Sequence, residues 1–385
     1  IHICVVIMVK RLYRFPEVLY FQEGPGVRNH QYTLSGVKLL NVSNLRDGKI
    51  DLTTSNRYIS EDEAFNKYSH FLCEPNDFII ASSGIKVDSF NNKMGFIHQS
   101  DLPVCMNTST IRFKVLNKEV LEIRYFMYYL KSVAFKKVLT KVVTGSAQLN
   151  FGPSHLKNMS ISLPNLDIQK EIVERLDRIN KLLELKKKLL LLLDELIKSR
   201  FVEMFGDLII NSKRLNTKRL DELFLLKAGI TTPPSDILSY MNSSHKYLCY
   251  GGNGVRGYVK YFSYSGIFPL IGRQGALCGN VQLAQGDFHA TEHAILVKPL
   301  VEYIDVIWSY YALRALNLFR YHSGAAQPGI SVKTLNNILL PIPILSEQKE
   351  FVLFSNQINK LKSDVQKSID ETQLLMDSLM QEYFG

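Results

Sequence analysis

Residues 145–182 read GSAQLNFGPSHLKNMSISLPNLDIQKEIVERLDRINKL, and residues 324–361 read GAAQPGISVKTLNNILLPIPILSEQKEFVLFSNQINKL. The second stretch is the first displaced by 179 residues, with no gap. That offset carries Leu156 to Leu335, Asn158 to Asn337 and Pro164 to Pro343. It carries Gln169-Lys170-Glu171 to Gln348-Lys349-Glu350, Ile179-Asn180-Lys181-Leu182 to Ile358-Asn359-Lys360-Leu361, and Phe205-Gly206 to Phe384-Gly385. About a third of the positions are identical, and one register held this long is an internal repeat. The chain therefore divides into two variable blocks, 1–155 and 207–334, each followed by a similar tail, 156–206 and 335–385.

Each tail reads as a helix. Asp167 and Ser346 are N-cap candidates after proline-containing segments. In the second tail Phe351, Ile358, Val365 and Leu379 lie on a seven-residue grid. Phe354, Leu361 and Leu375 lie three residues further on, and Ser368 and Thr372 interrupt the seam. In the first tail Ile172, Leu176, Ile179, Leu183, Leu190, Leu193 and Ile197 follow steps of four and three, broken at Lys186. Helices of about 37 residues would run roughly 55 Å. A long helix with one apolar stripe needs a partner, and its own repeat is the obvious one, giving a coiled coil within one chain.

The blocks have a different texture. Block one carries the runs Gly36–Val42, Asp77–Ala81 and Thr110–Val115, separated by turn signals such as Arg46-Asp47-Gly48-Lys49 and Asn91-Asn92. Block two carries Lys246–Tyr250, Gly257–Phe262, Phe268–Gly272 and Ala294–Val297. Each closes with a helical segment, Ile123–Leu139 and Tyr303–Phe319. The fold class expected is α+β: two tandem globular domains of mostly antiparallel strands, each followed by a long helix.

Composition narrows the function. Of 385 residues, 46 are Lys or Arg and 36 Asp or Glu, a formal charge of +10. The first block holds +6, the second +5, and the two tails together −1. The excess thus sits on the blocks, and a polyanion touching both is the natural partner. The apolar runs Ile3–Val9 and Leu189–Leu193 are far shorter than the roughly 20 residues that span a bilayer, so no membrane role is expected. Ile1–Val9 also lacks the cleavage site of a signal peptide, and residues 1–7 carry no functional weight. Cys4, Cys73, Cys105, Cys249 and Cys278 are scattered, which argues against zinc or a disulfide scaffold and points to a reducing cytoplasm.

Several motifs bear on chemistry. Gly252-Asn253-Gly254-Val255-Arg256-Gly257 fits a dinucleotide pattern, but strand-like residues follow it, so a turn is the better reading, with Arg256 free to reach a phosphate or a guanine edge. Gly272-Arg273-Gln274-Gly275, Gly279-Asn280 and Thr291-Glu292-His293 combine glycines with groups suited to a backbone or base edge. Ala81-Ser82-Ser83-Gly84 with Lys86 suits phosphate contact, and Gly24–His30, with Arg28 and His30, is similar. His293 lacks a second histidine at ligand spacing, so it reads as structural or nucleic-acid-facing. No P-loop, no adenine-methyltransferase tetrapeptide and no serine-hydrolase elbow is present.

The paired halves, the tail repeat and the glycine loops resemble the specificity subunit of a type I restriction–modification system. The resemblance covers essentially the whole chain. It is carried by Gly145–Gln148 with Pro164 and Gln169-Lys170-Glu171, and by Gly324–Gln327 with Pro343 and Gln348-Lys349-Glu350. The run Tyr250–Tyr258, then Gly272–Asn280, then Thr291–His293 is similar to one recognition-domain type, and so is Gly36–Val42 continuing to Asp77–Gly84. The extra N-terminal residues and the weaker heptads of the first helix depart from the pattern.

The resemblance implies two target recognition domains, each binding half of a split site in double-stranded DNA, with the tail helices pairing antiparallel as a spacer. It implies partners: two methyltransferase subunits using S-adenosylmethionine, and a restriction/motor subunit using ATP and Mg. This chain would bind no cofactor or metal and catalyse nothing. The implied DNA-binding candidates are Arg28, His30, Asn41, Ser82, Ser83, Gly84, Lys86 and Gln148 in the first half. In the second half they are Tyr250, Gly252, Asn253, Arg256, Arg273, Gln274, Asn280, Thr291, His293 and Gln327. The competing readings are an enzyme with its own methyltransferase or nuclease site, and a coiled-coil scaffold without nucleic acid.

Overall fold

The computed structural model describes residues 9–142, 149–324 and 328–385. Gln148 and Gln327 lie outside them, as do most of the repeated glycine segments and of the apolar start. By compactness the chain forms two units. One runs to Leu185 and takes in Ile369–Gly385; the other is Lys186–Ser368. Each unit therefore contains part of both tails.

The first unit opens on a strand, Arg11–Arg14, antiparallel to Ser160–Leu163. The one-turn helix Phe15–Val18 follows, where the Arg14 N–H donates to Glu17 Oε2 at 2.6 Å and Phe15 is wholly buried. The chain then enters an antiparallel four-stranded sheet ordered Leu19–Glu23, Thr110–Val115, Phe78–Ala81, Met94–Phe96. Phe78, Phe113 and Phe126 pack edge and face beneath it. A second sheet, Val104–Met106, Val37–Leu40 and Tyr58–Ile59, has its own small core around Val37, Leu39 and Ile59. The turn expected at Arg46–Lys49 is present, with φ positive at Asp47 and Gly48. The helix expected over Ile123–Leu139 is two, Ile123–Lys131 and Val133–Val142. Ser132 divides them, its Oγ accepting from the Phe135 N–H at 3.1 Å as a cap on the second.

The second unit repeats the opening: strand Asn216–Arg219 against Leu339–Ile342, one-turn helix Leu220–Leu223, and the Arg219 N–H donating to Glu222 Oε1 at 3.0 Å. Its single six-stranded sheet is ordered Phe224–Ala228, Ala294–Pro299, Tyr264–Gly272, Val281–Ala290, Tyr247–Gly251, Gly254–Val259. The helix Val306–Ala315, capped by Asp305, places Trp308 at the centre of the core.

The tail helices are each 40 residues long, Leu166–Phe205 and Leu345–Phe384. Their starts differ from the expected caps. Asn165, not Asp167, accepts from the Ile168 N–H, and Ser346 lies inside the first turn. Partners run in opposite order along the two helices. Arg175 meets Tyr383 in the first unit; Lys186 meets Ser368, Lys362 meets Asp194 and Arg200 meets Glu350 in the second. This is the antiparallel coiled coil. The first helix presents the expected seam, all of it buried or half-buried. In the second helix the grid through Phe351 and Ile358 holds, but the companion positions lie four residues on, at Ser355, Lys362, Ile369, Met376 and Tyr383. Leu361 and Leu375 are instead half exposed.

The repeated residues make repeated contacts. Gln169 and Gln348 are fully buried. Gln169 Oε1 accepts from the Glu122 N–H (3.0 Å), and its Nε2 donates to Val120 O (2.8 Å) and Pro164 O (2.9 Å). Gln348 Oε1 accepts from the Asp305 N–H (2.8 Å), and its Nε2 donates to Tyr303 O (3.0 Å) and Pro343 O (2.9 Å). Each glutamine thus ties its long helix to the start of the block's closing helix. Asn180 and Asn359 donate to the hydroxyls of Tyr128 and Tyr311 on those closing helices. Phe205, ending the first tail, packs on Trp308 of block two, and Phe384, ending the second, packs on Tyr125 of block one.

Candidate nucleic-acid interface

In block two the glycines bring the candidate side chains together. A Cβ on Gly272 would sit 2.1 Å from Gly252 O, and one on Gly252 would sit 2.9 Å from His293 O. Only glycine lets three backbone segments lie this close. They are the two-residue turn Gly252-Asn253, the loop after Gly272 and the turn before Ala294. Hydrogen bonds fasten them: Arg273 N–H to His293 O (2.8 Å), Gly272 N–H to Asn280 O (2.8 Å) and Gly279 N–H to Gly272 O (2.7 Å). The Gly252–Gly257 pattern thus belongs to a hairpin, with strands on both sides.

Asn280 Nδ2 donates to Asn253 Oδ1 at 3.1 Å. His293 Nδ1 lies 2.9 Å from Gln274 Oε1, and its Nε2 lies 3.1 Å from Glu292 Oε1. Glu292 Oε2 in turn accepts from the Thr232 N–H at 3.2 Å. Asn253, Arg256 and Gln274 are exposed, and Arg273, Asn280 and His293 half-buried. Two candidates face inward instead. Tyr250 packs on Phe288 in the core, and Thr291 is fully buried, its hydroxyl without a hydrogen-bond partner among the described residues. Both shape the loops and present no side chain to a ligand.

Behind this cluster His289 is fully buried, its Nε2 2.7 Å from Thr232 Oγ1 and its Nδ1 against Ser263 Oγ. Thr232 Oγ1 donates to Ile230 O, so it accepts from the imidazole, which fixes the proton on Nε2. Burial lowers the pKa of His289, with Glu292 acting weakly the other way. Cys249, Cys278, Cys73 and Cys105 are buried, and burial raises each thiol, Cys249 to about 11. Among the described residues no group of three or more His, Cys, Asp or Glu could hold a metal ion.

Block one builds the same corner with other residues. The Ser82 N–H donates to Ser109 O (2.9 Å), as Arg273 does to His293. Ser82 O accepts from the Phe151 N–H (3.0 Å), and Arg273 O accepts from the Ile330 N–H (2.8 Å). Ala81 pairs with Thr110 where Gly272 pairs with Ala294. Ser83 is half-buried and Gly84 and Lys86 are exposed, whereas Ser82 is fully buried. Asn41 is buried too, its Oδ1 accepting from Asn107 Nδ2 at 2.9 Å, so it braces the turn rather than facing outward. Arg28 and His30 are exposed, on a loop that leaves the sheet at Gly24, where a Cβ would sit 2.1 Å from Asn107 O. Ser109 was not among the candidates, since nothing in its neighbourhood of sequence sets it apart.

The family model for the type I restriction modification DNA specificity domain matches residues 37–195 and again 212–371. The chain belongs to that family and carries the domain twice. It is 33% identical over 255 residues to the type I restriction enzyme EcoprrI specificity subunit of Escherichia coli, covering 63% of each chain. It is 31% identical over 179 residues to the MjaVIII specificity subunit of Methanocaldococcus jannaschii, covering 46% of this chain and 40% of that one. These matches span less than two thirds of either relative's length. The crystal structure of a type I restriction–modification S subunit from M. genitalium matches with a TM-score of 0.60 and 17% identity, covering 100% of this chain and 98% of that one. A structure described for complex assembly and conformational transition of the type I system matches with a TM-score of 0.56. At such identity the likeness is one of fold.

Proposed function

We propose that this chain is the noncatalytic DNA-recognition subunit of a type I restriction–modification complex. Each block binds one half of a split double-stranded site, and partner subunits carry out adenine methylation and cleavage. The duplication carries this reading: one frame, built twice, presents two equivalent corners with different side chains. The positive charge on both blocks supports it, because phosphate contacts set register while base-edge contacts specify. Exposed Arg256 and Arg28 suit the first task, and Asn253 and Gln274 the second.

The partners are two methyltransferase subunits and a restriction/motor subunit, which bring S-adenosylmethionine, ATP and Mg; the chain itself binds none of these. The first long helix supports helical docking. Within the second unit Leu189, Leu192 and Leu196 recur at steps of three and four and are 42–56% exposed, a second stripe beside the buried seam. In the second unit a groove of about 670 Å³ offers a further surface, mixed in character: Ile197, Phe201, Leu208 and Tyr310 line it together with charged Asp194, Glu195, Lys198, Asp207, Arg314 and Lys362. No helix among the described residues is long and apolar enough to cross a membrane. The cytoplasm, where DNA and these partners meet, is the proposed location.

The test is methylation mapping in a host without its own systems, expressing the chain with its cognate methyltransferase subunit. A split motif methylated in both halves, lost when the chain is omitted, is the expected result. A stable complex that methylates no defined motif would leave only a scaffold role.

A further inference from the structure

We infer that two side-chain pairs, Ser83 with Ser109 and Gln274 with His293, occupy the same place in the two blocks and set the base preference of the two half-sites. This rests on the DNA-recognition reading and deepens it. Four contacts establish the equivalence. Ser82 and Arg273, each one residue before the pair, donate to the carbonyls of Ser109 and His293. The same two residues accept from Phe151 and Ile330, which the tail repeat aligns. In both blocks the two members of the pair then touch: Ser83 Oγ lies 2.6 Å from Ser109 Oγ, and His293 Nδ1 lies 2.9 Å from Gln274 Oε1. In both, a left-handed glycine follows, Gly84 at φ +72° and Gly275 at φ +87°, and a Cβ there would meet nothing within 4 Å among the described residues. The pairs therefore stand on backbone that matches at Ser83 and Gln274, while Ser109, at φ +67°, takes a left-handed conformation that His293 does not.

A backbone held alike while its side chains differ is where two copies of one frame can take on different preferences. The chemistry differs sharply. The serine pair is short, and its hydroxyls can donate or accept. The second pair reaches further: an amide can offer a donor and an acceptor side by side, the pattern that an adenine edge matches. His293 lies between Gln274 Oε1 and Glu292 Oε1 and limits where that amide can turn.

The experiment maps methylated motifs for the whole complex carrying Gln274→Ala or Ser83→Ala with Ser109→Ala. Each variant is expected to relax base preference at one or two positions in one half of the motif, on the order of 10–100-fold in discrimination. The two variants should alter opposite halves. An unchanged motif, a uniform loss at all sequences, or both variants altering the same half would overturn the inference. Gln274→Glu, which keeps the shape, decides the case if Gln274→Ala does not assemble. A wild-type complex with no split motif would instead sink the recognition reading itself, before any variant is compared.

Discussion

Block one and block two meet their long helices through the same contacts, yet they are built differently between them. Block two is one six-stranded sheet. Block one places most of its strands in a four-stranded and a three-stranded sheet, each with its own core. What stays the same is at the edges: the one-turn helix after Arg14 or Arg219, the buried glutamine, the tyrosine–asparagine bond and the corner that faces outward. Variation is tolerated in the middle because the frame does not depend on it.

The largest test of this likeness is aromatic. Phe205→Ala should cost about 3–5 kcal/mol, because Phe205 is 1% exposed and packs between Trp308 and Phe351. Trp308 is the single tryptophan, so its fluorescence in a urea titration reports the second unit. Phe384→Ala should cost less, since Phe384 is 9% exposed, and should leave that fluorescence transition in place. Equal losses seen by tryptophan would break the picture of separate cores.

Next come the glutamines. Gln169→Leu and Gln348→Leu each strand two carbonyls and an N–H in the interior, at about 2–4 kcal/mol apiece. If the two sites are one device, calorimetry on the two variants should give losses within about 1 kcal/mol of each other. A loss confined to one would show that the repeated letters serve different ends.

The seam gives a finer contrast. Ile358→Ala should cost about 2–3 kcal/mol, and Leu361→Ala should stay within about 0.5 kcal/mol. The reverse order would restore the spacing read from the sequence. Smallest is a pH effect confined to block two. Folded His289 holds a proton less readily than the unfolded chain. Its contribution is therefore fully present above about pH 6.5, its ordinary value, and is lost as pH falls below that. His289→Gln should flatten the stability of the second unit between pH 7 and 5; an unchanged slope would place the titration elsewhere.

Much of the frame was legible because the tails repeat without a gap. The opening strand–helix–strand was not, although it also recurs: only Arg14, Glu17 and Gly24 match Arg219, Glu222 and Gly229, and at a different offset. The second stripe of the second helix was misplaced by one residue because Leu361 and Leu375 look like seam residues, while Ser355 and Lys362, which are in it, do not. The strand Val281–Ala290 was missed because Gln285-Gly286-Asp287 breaks its alternation where the strand is exposed. Among the candidates, Asn41, Ser82, Tyr250 and Thr291 have the right chemistry but point inward; Tyr250 is in a strand and the others follow directly on strand ends, where composition does not tell inward from outward.

Lys186, at a seam position, donates to both the hydroxyl (2.7 Å) and the carbonyl (3.0 Å) of Ser368, 182 residues away. Such a polar step among apolar ones favours one alignment of the helices over slipped ones. At about 5–20 residues per second, the ribosome needs roughly 10–35 s to supply the second partner after the first. For that interval the first helix emerges with its seam bare and three consecutive lysines, Lys186–Lys188, in its middle. Their mutual repulsion discourages two nascent chains on one message from closing their leucines on each other, and the bond to Ser368 is the reward reserved for the helix that arrives last.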